Sequence, residues 1–84
     1  MTTDPYTEAL AEYGHARQLH RAVIAAYSAR IASIAHEQQA ADLKERRRRL
    51  VAEQQTLSDE DRTRVRQILA EFPGLLAALR AGAQ

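Results

Sequence analysis

Glu12 and His15, in the segment EYGH, stand three residues apart. On a helix that spacing stacks a carboxylate and an imidazole on neighbouring turns, where the two can share a metal ion. Metal-binding bundles need several such pairs facing one another, and this chain offers one, so no metal is expected. His20 falls on a row of apolar residues, where a histidine more often serves as a hydrogen-bonded interface group than as a ligand. Together with Arg17 it can form a polar layer that sets the register of a dimer, and its protonation near pH 6 would loosen an assembly that buries it. His36 lies beside Glu37 in the polar patch AHEQQ, where exposure is expected. Ser28 and Ser33 have no recognisable base and acid arranged around them, and no glycine-rich phosphate loop is present. The chain reads as non-catalytic, with no cofactor.

The most conspicuous chemical feature is the run Lys44-Glu45-Arg46-Arg47-Arg48-Arg49. If Leu43 and Leu50 face inward, Arg46 and Arg47 flank the apolar line while Lys44, Glu45, Arg48 and Arg49 point outward and sideways. The run therefore wraps a helix and does not make one flat basic patch. Asp42 to Arg46, Glu45 to Arg49 and Arg49 to Glu53 are spaced as i,i+4 pairs that can neutralise much of it. Lys44, Arg47 and Arg48, joined by Arg64 and Arg66 further on, are the candidates for contact with an anionic partner such as a nucleic-acid backbone. A helix-turn-helix is not expected: the segment GLLAALRAG would present mostly alanine and one arginine, too little to read base edges.

These groups must be carried by helices. Ala, Glu, Gln, Arg and Leu dominate the composition, and they lose little side-chain freedom in a helix. The 84 residues suffice for one small domain, with a formal net charge of +1. That near-balance supplies no global field toward DNA or anionic lipid. The charge is uneven, however: residues 1–43 hold three basic and five acidic groups, residues 44–84 nine and six. The absence of cysteine excludes disulfides, zinc ribbons and thiol chemistry. The segment MTTDPYTEAL has neither the basic stretch nor the apolar core of a secretory signal, and no apolar run is long enough to span a bilayer, so a cytoplasmic protein without membrane contact is expected.

Asp4-Pro5 marks a helix start, with Asp as cap and Pro at the first helical position. Tyr6, Tyr13, His20, Tyr27 and Ile34 then recur every seven residues, beside Leu10, Ile24 and Ile31 and a row of Ala9, Ala16 and Val23. Three rows make the broad apolar face of a bundle helix. Gly14 weakens the helix and leaves room for a neighbour to approach. Between Gly14 and Pro73 there is neither Gly nor Pro. A helix from Pro5 to about Gln54 would be about 75 Å long, against a radius of gyration of about 12 Å for a compact chain of this size. It must bend near Ala35–Gln39 or find a partner. Counted along one continuous helix, Leu43 lies nearly opposite Ile34, so the front and rear halves would bury different faces. Ser58 to Asp61 reads as a capping box opening a helix from Asp59 to Glu71, whose Val65, Ile68, Leu69 and Phe72 form one stripe. Phe72-Pro73-Gly74 is expected to break it, leaving a short last helix of Leu75, Leu76 and Leu79 that Gly82 terminates.

The sequence thus predicts an all-α chain: a long N-terminal helix, straight or bent near 35–39, with a short C-terminal helix pair folded back on its rear half. It forms one helical domain over 1–84, in which residues 40–81 make a helical hairpin and residues 1–34 present the dimerisation or partner face. That face comprises Tyr6, Leu10, Tyr13, Ile24, Tyr27, Ile31 and Ile34, buried in a bundle-like or coiled-coil-like homodimer. Its expected work is regulation through a macromolecular, most simply a protein, partner. Binding nucleic acid through residues 44–49 and 62–66 is the alternative.

Overall fold

The computed structural model describes residues 4–82, and its regular structure there is all α-helix, with α1 at Pro5–Ser33, α2 at Glu37–Thr56 and α3 at Arg62–Arg80. At the start of α1, Asp4 Oδ1 accepts from the Tyr6 backbone N–H at 3.2 Å, and Pro5 occupies the first turn, where its missing N–H costs nothing. At the other end Ser33 Oγ donates to the Arg30 carbonyl at 2.8 Å and the Ile34 N–H turns back to Ile31 at 3.2 Å. These bonds satisfy carbonyls that would otherwise continue the helix. Ile34 and His36 are extended, and α2 begins at Glu37. The bend anticipated near 35–39 is therefore a complete break at residues 34–36.

The second connection carries the predicted Ser58/Asp61 reciprocity in altered form. The Ser58 N–H donates to Asp61 Oδ2 at 3.1 Å, while Ser58 Oγ accepts from the Glu60 N–H at 3.1 Å. These bonds build a tight turn, and α3 starts after it, at Arg62 and not at Asp59. The helix then runs through Pro73 without interruption, so the expected pair of short C-terminal helices is one helix of 19 residues. Proline removes one backbone bond inside a helix. Here Phe72 before it is 5% exposed, and Leu75, Leu76 and Leu79 after it pack on the core. That apolar burial on both sides offsets the lost bond. Gly82, with φ of +65°, takes the left-handed conformation that ends α3.

A second correction concerns what α3 packs on. It does not fold back on α2. Arg62, at its start, donates to the Ala9 carbonyl at 3.3 Å and the Glu12 carboxylate at 2.6 Å, near the start of α1. Further along, Phe72 stacks on His20 at 5.6 Å between ring centroids, and Gly82 lies beside Arg30. α3 therefore runs parallel to α1, with α2 returning antiparallel along another flank of α1. The backbones of α2 and α3 make no close approach to each other.

The core lies mainly between α1 and α3: Ala16, Val23 and Tyr27 against Val65, Ile68 and Phe72, closed below by Leu57. The body measures 53 × 24 × 15 Å with a radius of gyration of 14.7 Å. It is elongated because α1 alone spans about 43 Å. Among the described residues no helix is long and apolar enough to cross a membrane. Gly14 has no atom within 4 Å of where a Cβ would stand, so its expected role in admitting a neighbouring helix is not used within the chain.

Candidate interaction surface

The heptad face of α1 is divided by the fold. Tyr27 is 4% exposed and buried within the chain. Tyr13 is half-buried against the core, and its hydroxyl donates to the Leu57 carbonyl at 2.9 Å. Ile24, Ile31 and Ile34 are partly covered. Tyr6 and Leu10 stay open at 64% and 41%, and with Val51 they are the exposed large apolar residues of the described chain. Their exposure has a simple geometric cause. The α2–α3 turn ends beside residues 9–13 of α1, as the bonds of Tyr13 and Arg62 show. Tyr6, in the first turn of α1, thus projects beyond that cover, and Leu10 stays open at its edge.

At the opposite end of the body the separation of α2 from α3 leaves a groove of about 610 Å³. Ile34, Leu43 and Leu79 supply its apolar lining, and Arg30, Arg46 and Asp42 its charges. Sequence reasoning did not bring these residues together, since Leu79 and Leu43 meet only through the parallel course of α3. Asp42 and Arg46, predicted to pair, do not; Arg46 is exposed and has no ion pair among the described residues.

The arginine run is largely engaged by its own chain. Arg48 holds Glu45 with two bonds of 2.9 and 2.8 Å, and Arg49 reaches the same carboxylate at 3.2 Å. The hydrogen bond from Arg48 is the main reason the Glu45 carboxyl titrates far below its usual range, at about 2. Arg47 turns inward to Ser28 Oγ at 3.0 Å. Of the five residues proposed for anionic partners, Arg47, Arg48 and Arg64 are thus occupied, while Lys44 and Arg66 stay exposed without an ion pair among the described residues.

Between α2 and α3 lies a polar cluster that spacing did not reveal. His20, 1% exposed, brings Nε2 to Glu53 Oε1 at 2.9 Å. An ionised carboxylate can only accept, so Nε2 carries the proton, and Nδ1 is left buried without a partner. Arg64 grips the same carboxylate with two bonds of 2.7 and 2.8 Å and lies 5.5 Å over the Phe72 ring. Arg64 chiefly, and His20 after it, hold the Glu53 carboxyl below its ordinary value against burial that raises it; the Arg64 guanidinium is correspondingly raised. Glu53 was assigned to Arg49 from its helical spacing, but it joins all three helices. His20 consequently belongs to the chain's own core, and Arg17, its supposed partner in a dimer layer, lies exposed over Tyr13 at 5.8 Å.

Glu12, considered with His15 for metal binding, is taken by Arg62. Among the described residues no group of three His, Asp or Glu side chains is placed to hold a metal ion. Comparison with protein-family models, curated proteins and solved structures finds no match to this chain.

Proposed function

We propose that this chain is a small non-catalytic helical protein that acts as a homodimer by binding a macromolecular partner, most simply another protein. The carrying observation is the start of α1, where Tyr6 and Leu10 are open to solvent while the other large apolar residues of their face are buried or partly covered. Large apolar residues at an uncovered helix end are costly to hydrate, and aromatic groups are favoured at interface centres. The engagement of Arg47, Arg48 and Arg64 within the chain weighs in the same direction, because it reduces the positive charge available to phosphates.

Sedimentation velocity across a range of concentrations, paired with titration of labelled duplex and single-stranded oligonucleotides at low salt, tests this function. The expected result is a species of twice the 9.4 kDa chain mass and no oligonucleotide binding. A monomer at every concentration that binds oligonucleotides with steep salt dependence would replace it with the nucleic-acid reading.

A further inference from the structure

We infer that the projecting start of α1 is the plug, and the groove between α2 and α3 the socket, of a reciprocal antiparallel contact between two copies of this chain. The inference rests on the homodimer proposed above and specifies its geometry.

Three features of the molecule point to a second copy as the occupant. The first is chemical match. Tyr6 and Leu10 lie one turn apart on α1 and are exposed, while the groove is floored by Ile34, Leu43 and Leu79. An i,i+4 apolar pair entering an apolar groove is the usual mode of helix recognition. The second is charge. Residues 4–12 contain Asp4, Glu8 and Glu12 and no lysine or arginine. On the groove's wall Arg46 is exposed and has no ion pair among the described residues. Glu12 is already held by Arg62, so Asp4 and Glu8 supply the plug's net negative field, and Arg46 answers it from the socket rim.

The third is position. Plug and socket sit at opposite ends of a body 53 Å long. When two copies lie antiparallel, one two-fold axis seats both plugs in both sockets at once, which closes the assembly as a dimer. Parallel copies would place plug beside plug, acid beside acid, and leave both sockets empty.

The chain has no cysteine, so introduced thiols report geometry without background. Two single variants, Leu10→Cys and Gln39→Cys, are placed in the plug and on the socket wall respectively. On mild oxidation of the mixed variants, the disulfide is expected between Leu10→Cys of one chain and Gln39→Cys of the other, with neither variant linking efficiently to itself. Efficient self-linking of Leu10→Cys would show plug against plug and overturn the inference. The companion variant Tyr6→Ala/Leu10→Ala should retain full helicity, because both residues lie outside the core, and should weaken dimerisation by about 100-fold or more. A dimer that persists unweakened in that variant and forms no mixed disulfide pairs through another face: the plug-and-socket contact is then wrong while the homodimer stands. A wild-type chain that is monomeric throughout removes both.

Discussion

Removing the Glu53 carboxylate should cost this small protein a large part of its stability, and the amount can be worked from its three bonds. Glu53→Ala deletes contacts of 2.9 Å to His20 and of 2.7 and 2.8 Å to Arg64. Arg64 and Glu53 are partly exposed, 31% and 27% for their side chains, so water takes over much of what Arg64 loses. Their share is about 1 kcal/mol, since exposed ion pairs contribute little. His20 is different. At 1% exposure its Nε2–H depends on this one acceptor, and losing it carries a penalty of about 1–3 kcal/mol. The sum, about 2–4 kcal/mol, compares with a total of about 4–13 kcal/mol for a chain of this length.

Urea unfolding followed by circular dichroism, at fixed chain concentration and pH 7, measures the loss; by melting it should appear as about 10–30 °C. Adding His20→Leu to Glu53→Ala should recover part of it by removing the stranded donor. The pH dependence has a definite sign. The Glu53 carboxyl is lowered in the folded chain from 4.5, so its contribution is complete above that value and drains away as pH falls through the native one. Glu53→Gln should flatten that part of the stability profile. A Glu53→Ala protein within about 0.5 kcal/mol of wild type would show that this carboxylate does not tie the helices together, and the assignment of His20 as a buried donor to it would fail as well.

Other outcomes follow from the same geometry. Phe72→Ala removes a ring 5% exposed between His20 and Arg64 and should cost about 3–5 kcal/mol, enough to leave the chain largely unfolded in a urea titration. Pro73→Ala restores an N–H inside α3 and should raise stability by about 1–3 kcal/mol; an unchanged or lower melting temperature would mean that proline's restriction of the unfolded chain outweighs the gain. Gly14→Ala meets only open space on α1 and should add about 1 kcal/mol, read as a higher melting temperature. Carboxyl NMR should place the Glu45 titration near pH 2, and Arg48→Ala should return it toward the ordinary 4.5; because the pair lies at the surface, added salt should achieve part of that shift.

The helical class, the Asp4-Pro5 start, the Gly82 stop and the stripe of Val65, Ile68 and Phe72 were all legible in the sequence. Each depends on local chemistry: a capping carboxylate, a left-handed glycine, a period near 3.6 residues. Misread was the relation between α1 and α2. The angle from Ile34 to Leu43 assumes unbroken helix between them, and the non-helical residues 34–36 reset the register, freeing both halves to turn toward a shared interior. No glycine or proline marks that break; the polar patch at 35–39 suggested a bend, and Ser33, bonding back to Arg30, fixes where the helix ends. Pro73 misled in the opposite direction. A local rule favoured a break, and the leucines beyond it, packed against α1 and the core, kept the helix whole. The His20–Glu53–Arg64 cluster lay beyond reach, because which residues meet across three helices follows from how the two connections orient them.

The separate placement of α2 and α3 on either flank of α1 has a dynamic consequence. Apart from the turn, the returning helix is attached through one hinge, a few leucines, the bond from Arg47 to Ser28 and the carboxylate shared with His20 and Arg64, and within its span only Ala40 is buried outright. The parallel pair of first and last helices holds most of the interior. Local opening should therefore begin with α2 swinging away from a remnant that stays paired. Amide protons of the arginine helix should exchange ahead of those around Val23 and Ile68, and protease cleavage should begin within residues 37–56.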